Sequence, residues 1–247
     1  MYITARDNNG NMALNLAALC GHAETVGVLV SEFSCRPSVK SQNGQTPLHA
    51  ACCGGHLVVV EKLVSEYGCD MDARTNDGLT PLHVAAALCG REEVVRELIV
   101  KYKCPVDCVD SSGNTPLHWA AIKGHTGVER MLLSEFGADV TARNKSSNTV
   151  LNLAAMYGHA ELVSVLVLEF GCSPSVKGKD GQTPLHAACS GGHLIVMEKL
   201  VSEYGCDVSA KDNYGFAPLH IAALYGQLVH RDHLEYKEKM DGKENKD

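Results

Sequence analysis

The sequence Thr-Pro-Leu-His occurs at Thr46 and returns at Thr80, Thr115 and Thr183. A weakened copy, Ala-Pro-Leu-His, begins at Ala217, and two copies that keep only part of the pattern begin at Met12 and Thr149. The starts therefore fall at 12, 46, 80, 115, 149, 183 and 217, a spacing of 34 residues broken by a single step of 35. A fixed period of this length means a chain made of one supersecondary unit repeated in tandem. A second symmetry lies over the first. Residues 12–71 match residues 149–208 at an offset of 137, and roughly three-quarters of the aligned positions are identical, well above what stacking alone requires. A block of four units is duplicated as a whole.

Each copy follows the same internal grammar. Thr at an N-cap accepts a hydrogen bond from the first turn of a helix. Pro follows at the first helical position, where its missing N–H costs nothing. Leu, His and small residues continue a short helix, as in Leu82-His83-Val84-Ala85-Ala86. It stops at Gly21, Gly55, Gly90, Gly124, Gly158, Gly192 or Gly226, a residue that reaches the left-handed conformation without strain. A second apolar helix follows, for example Leu57 to Val64, and a polar finger such as Asp72–Asp77 leads back to the next Thr-Pro. Helices this short are not stable alone. Each unit needs neighbours, and the array is expected to behave as one stack.

Thr-Pro-Leu-His-x-Ala, repeated in phase over roughly residues 4–236, resembles the signature of the ankyrin-repeat family. The resemblance implies an all-α solenoid of helix-turn-helix repeats joined by β-hairpin or extended fingers. Seven repeats are expected in an array spanning 1–239, followed by a charged, disordered tail at 240–247. The family's period is about 33 residues. Here the extra residue falls at the end of the second helix, in Leu63–Asp70, and the third copy adds another in Ala85–Gly90. Arg231 and Glu235 replace the apolar Val60 and Val64 of the second copy, the substitution expected of a capping repeat. The start, by contrast, enters in mid-finger at Thr4-Ala5-Arg6-Asp7. That implies a segment taken from inside a longer array.

Composition narrows the function. The formal charge is −7, and no Lys/Arg surplus marks a face for phosphate, so nucleic acid is not the expected partner. Apolar runs stay short of the roughly 18 residues of a membrane span, and no apolar signal segment follows Met1. Eleven cysteines, an odd number in a chain of this length, fit a reducing, intracellular compartment, in all expectation the cytoplasm, better than a secreted disulfide framework.

Twelve histidines invite a metal or catalytic reading. Five occupy the Thr-Pro-Leu-His slot and five more, at His22, His56, His125, His159 and His193, follow the turn glycine. In the ankyrin family these imidazoles tie turns and neighbouring repeats together. His230 and His233 share a helix face but lack a third ligand, and no cysteine pair has zinc spacing. Cys35, Cys69, Cys104, Cys172 and Cys206 fill a small-residue slot, where a thiol acts as a small hydrophobe. Neither a nucleophile elbow nor a phosphate loop is present. No catalytic, cofactor or metal residue is assigned, and an enzyme is not expected. Trp119 is expected to pack between repeats rather than to stand out as an anchor.

Repeat grammar fixes most slots, so the others carry any specificity. Two of them precede the turn glycine on the first helix. They hold Leu19 and Cys20, Cys53 and Gly54, Leu88 and Cys89, Ile122 and Lys123, Met156 and Tyr157, Ser190 and Gly191, Leu224 and Tyr225. A solvated face does not choose Leu, Ile, Met and Tyr so often, and such a row is a candidate protein-binding surface. The alternative is that these side chains pack against the neighbouring first helix. Most fingers are polar, but the last carries Tyr214 and Phe216, which with Tyr225 form a candidate aromatic hot spot. The duplicated halves differ at Leu19/Met156, Cys20/Tyr157 and Cys53/Ser190 while their buried slots agree. That divergence favours a scaffold or adaptor, a monomeric array binding an unidentified protein on the concave face and finger tips. A structural or elastic spacer without a dedicated partner is the alternative.

Overall fold

The computed structural model describes residues 12–88 and 90–226. The expected cap residues Arg231 and Glu235, the His230/His233 pair, the tail and the Thr4–Asp7 entry lie outside them. The chain divides into two compact units. One holds the residues up to Ala120 together with Gly127–Ala138, and the other holds Ala121–Thr126 and the chain from Asp139 onward.

In the first unit the helices alternate as the repeat grammar requires. The first helices of its repeats are α1 (Ala13–Leu19), α3 (Pro47–Gly54) and α5 (Pro81–Leu88). Behind them lie α2 (Ala23–Ser31), α4 (Leu57–Glu61) and α6 (Glu92–Val100). α3 packs on both α1 and α5, and α2 packs on α4. α7 (Pro116–Lys123) and α8 (Thr126–Ser134) form the next hairpin. The second unit repeats the plan with α9 (Val150–Met156), α10 (Ala160–Leu168), α11 (Pro184–Gly191), α12 (Leu194–Glu198) and α13 (Pro218–Leu224). There α11 lies between α9 and α13.

The core is built from the repeated slots. The Leu of the motif is at most 1% exposed at Leu48, Leu82, Leu117, Leu151 and Leu185, and the small residues beside it, such as Ala51, Ala120 and Ala188, are wholly buried. Small side chains let neighbouring helices approach closely, which explains how a chain with so few aromatic residues builds a dense interior. The extra residue of the long repeat is absorbed as a wide, π-type turn. Such a turn continues α4 over Lys62–Glu66 and α12 over Lys199–Glu203, the usual way for a helix to take in one residue without losing its ladder. The chain then closes back six residues, with the Cys69 N–H on the Leu63 carbonyl at 3.0 Å and the Cys206 N–H on Leu200 at 2.8 Å. This closure needs a left-handed residue. Glycine supplies it at Gly68, Gly137, Gly171 and Gly205, whereas Ser34 and Lys103 adopt it at φ 54° and 59°.

The fingers are extended and joined by turns, and no β-strand occurs among the described residues. Each finger closes on itself, as Ser41 N–H does on Gln45 O at 2.9 Å, and single backbone bonds such as Asn76 N–H to Asn43 O at 3.0 Å link neighbouring fingers. That is too few for a ladder. Long cationic side chains supply the rest of the lateral bonding. Lys40 Nζ donates to Arg74 O at 2.9 Å, and Arg143 donates to both Ser147 O and Lys177 O at 2.7 Å.

The motif histidines are the main tie between repeats. In the first unit Thr46 N–H donates to His49 Nδ1 at 3.2 Å, and the Thr46 hydroxyl lies 2.8 Å from the same nitrogen. With Nδ1 accepting, the proton sits on Nε2, which donates to Leu79 O in the next finger at 3.0 Å. His83 reaches Asn114 O at 3.0 Å, and in the second unit His186 reaches Phe216 O at the same distance. Where the motif carries Asn instead, the amide copies the ring. Asn152 Oδ1 accepts from Thr149 N–H at 3.1 Å, and Asn15 Nδ2 donates to Gln45 O at 3.1 Å. Met12 has no hydroxyl to offer, so Asn15 Oδ1 is left unbonded. The shorter amide has a further requirement. A Cβ at Gly178, in the finger that follows α10, would fall 2.7 Å from Asn152 Oδ1 and 2.8 Å from Asn148 Oδ1. Asn148 Oδ1 instead accepts the Lys179 N–H at 3.1 Å.

Two polar features break the pattern. Trp119 is half-buried rather than enclosed, and its indole N–H donates to Asp110 Oδ2 at 2.9 Å. Burial raises the Asp110 pKa, but the bonds it accepts from Asn114, Trp119 and Ser112 outweigh that effect and hold the carboxyl below its usual value. The second is Glu129 of α8, which is fully buried.

Burial drives the pKa of both His49 and His83 down to about 4, against the weaker upward pull of the carbonyl bonds. The unfolded chain therefore binds more protons than the folded one between its ordinary value near 6.5 and about 4. The contribution of the two rings is fully present above that window and is lost as pH falls through it. At pH 5 the loss is on the order of 1–2 kcal/mol per ring. Replacing both by Asn, the residue the chain itself uses at Asn15 and Asn152, should shrink the drop in stability between pH 7 and pH 5 by about 2–4 kcal/mol. Urea titration of parent and H49N/H83N protein at both pH values measures the difference, and equal drops would refute it.

Candidate functional site

The slots ahead of the turn glycine lie at the C-terminal ends of the first helices. Stacking buries the preceding turn of each: Ala154 and Ala155 on α9, Ala188 and Cys189 on α11, Ala222 on α13. One residue later the helices end, and the side chains leave the stack. In the second unit Tyr157 is 47% exposed, Leu224 69% and Tyr225 60%. Lys123 is exposed as well, while Ile122 and Met156 are half-buried. In the first unit Leu19 is 39% exposed. The exposed members are thus not absorbed by packing against the neighbouring first helix. The side chain of Leu88 lies outside the described residues.

The turn histidines explain why the row is not apolar throughout. His193 Nε2 donates to Met156 O at 2.9 Å, and His159 Nε2 to Ile122 O at 3.0 Å. The His193 ring lies against Gly191, where a Cβ would come within 2.4 Å of Met156 O and 2.5 Å of the ring. Gly54 is crowded in the same way by Leu19 O and His56. These two repeats keep glycine for close approach of backbone. Spacing alone makes every slot of the row equivalent. The crowding that sets Gly54 and Gly191 apart involves a ring from the following helix, and it becomes visible only in three dimensions.

On the last described finger, Asp212 accepts Tyr214 N–H and Phe216 N–H at 2.9 Å and so fixes the turn. Tyr214 is 69% exposed and Phe216 42%. The three aromatic residues proposed from sequence are all exposed, but their rings do not meet. Phe216 instead lies against His220, with centroids 6.2 Å apart. Leu219, which the sequence grammar assigns to the core, is 51% exposed in this repeat.

Among the described residues reactive side chains are not gathered in a comparable way. Among the described residues no group of three or more His, Cys, Asp or Glu side chains could hold a metal ion. Burial pushes the Cys52 thiol strongly upward, Cys189 to about 12, and Cys69 and Cys104 to about 11, the opposite of nucleophile activation. A groove of about 450 Å³ in the second unit is lined by Val140, Arg143, Leu151, Phe170 and Val176 among others. The Arg143 guanidinium in its wall is committed to two carbonyls and Thr149 to Asn152. No helix among the described residues is long and apolar enough to cross a membrane.

Comparison with known proteins agrees with the architecture. A family model described as ankyrin repeats (3 copies) matches residues 2–75, 59–144 and 145–236. The crystal structure of the human ASB11 ankyrin repeat domain is similar, with a TM-score of 0.71 and 25% sequence identity, covering 86% of this chain and 92% of that one. No curated protein matches. The helix pairs, the histidine ties and the family match over most of the length lead to one assignment: this chain belongs to the ankyrin-repeat family.

Proposed function

We propose that this array is a protein-binding scaffold or adaptor, acting inside the cell as a monomer, whose partner docks on the ends of the first helices and the finger tips. Ankyrin repeats are in general protein-interaction modules. One observation carries the reading for this chain: Leu19, Tyr157, Leu224 and Tyr225 are exposed at the two slots ahead of the turn glycine, whereas the stacking slots one turn earlier are closed. Large, rigid amphipathic side chains of this kind concentrate binding energy when a partner covers them. Lys123 at the same register adds a charge for orientation. Nucleic acid is not the expected ligand of a chain with a net charge of −7. A spacer array would have no reason to place large apolar and aromatic side chains at these exposed slots, and the duplicated blocks differ here at Leu19/Met156 and Cys20/Tyr157.

Two outcomes follow. Because these side chains contribute little to the stack, Tyr157→Ser and Tyr225→Ser should each change stability by less than about 0.5 kcal/mol, whereas Leu185→Ala should cost roughly 2–5 kcal/mol. Denaturant titration separates the two classes. The triple variant Ile122→Glu, Tyr157→Ser, Tyr225→Ser is then run beside the parent in affinity capture from lysate, read by mass spectrometry. A protein retained by the parent and lost by an equally stable variant supports the adaptor. Equal retention would move the site to the fingers or the second-helix side, and no specific partner for either would favour the spacer.

A further inference from the structure

The second helices carry an apolar residue at a fixed core slot: Val26, Val60, Val95, Val163 and Met197, all at most 2% exposed. In α8 the slot holds Glu129, at 0% exposure. Neither carboxyl oxygen has a hydrogen-bond partner. The charged groups nearby in the chain are engaged or turned outward. Arg96 on α6 pairs with Glu135, and Lys101 pairs with Glu61 and Glu97. Glu92, Glu93, Lys123 and Arg130 are exposed, and His118 of α7 is bound to Thr115. Burial is the sole influence on the Glu129 pKa, and it pushes the carboxyl well above its usual range.

We propose that the α7–α8 hairpin is a pH-gated weak point of the array, in which α8 stays packed while Glu129 is protonated and opens locally when Glu129 ionises. An unpaired carboxylate in an apolar interior is far less favourable than the neutral acid. When α8 leaves its place the carboxyl reaches water and gives its proton to solvent. The packed form has the higher pKa, so this group's contribution is most favourable below the ordinary carboxylate value and is lost as pH rises toward the packed-state value. Within that window each pH unit raises the opening constant about tenfold. Valine at the slot imposes no such dependence. The direction is opposite to that of His49 and His83, and it persists above their titration.

Hydrogen exchange read by mass spectrometry on the full chain, from about pH 6.5 to about pH 8.5 and corrected for intrinsic rates, measures the opening directly. In the parent, protection of the α8 amides should fall by about tenfold per pH unit over part of that range. In Glu129→Val it should be higher and flat with pH. Glu129→Gln, still polar but unable to ionise, should also be flat. Peptides from α3 and α4 should show no slope in any variant. A flat α8 profile in the parent would overturn the proposal, as would a slope that survives in Glu129→Val. The same slope in α3 and α4 would assign the effect to global unfolding and overturn it equally.

Discussion

The array depends on one polar contact, made in full by His49, His83 and His186. A ring nitrogen accepts from the threonine that starts the helix, and the other ring nitrogen donates to a carbonyl of the next finger. The same side chain thereby caps its own helix and fixes the neighbour. Helices of seven to nine residues have little stability of their own, and apolar faces alone would let them slide. A buried bond with defined direction removes that freedom, because a slipped register would strand both partners without water. The repetition of small residues at fully buried slots then brings the backbones close enough for the bond to form.

Much of this was legible before any coordinates. Thr-Pro at 34-residue spacing located the starts of α3, α5, α7 and α11. The turn glycines located the breaks between helices, and the motif histidines belonged visibly to the grammar rather than to a site. The row ahead of the turn glycine was also readable, because residues free of the grammar are those that vary between duplicated blocks. Three things were not. The fingers have too few lateral bonds to form strands, a matter of how far apart successive turns lie. Trp119 finds Asp110 across its own finger instead of sinking into the stack. Phe216 lies against His220 rather than against Tyr214 or Tyr225, a pairing that spacing does not encode.

The core itself is uneven in a way that periodicity hides. A slot filled by Val in four second helices and Met in a fifth accepts Glu129 in α8. No hydrogen bond compensates its burial, so the residue weakens the place it occupies rather than anchoring it. Repeat proteins distribute stability among nearest-neighbour contacts, and a single weak slot therefore acts locally. It weakens one hairpin while the His83 tie before it and the Asn152 cap after it remain intact.

The pairing of Asn152 with Gly178 bears on how such arrays can be inherited and recombined. These residues belong to successive repeats, and the short amide is compatible with the next finger because that finger has no Cβ at the point of approach. In the other block Asn15 is followed by Ser41 and lacks the threonine hydroxyl, so the two solutions are not interchangeable. The smallest exchangeable piece is therefore a helix pair together with the finger behind it. A crossover placed at the 34-residue period, between Asn152 and Gly178, would join halves selected apart from each other. Duplication of a four-repeat block keeps such pairs together, and the block is the form in which this chain has been copied.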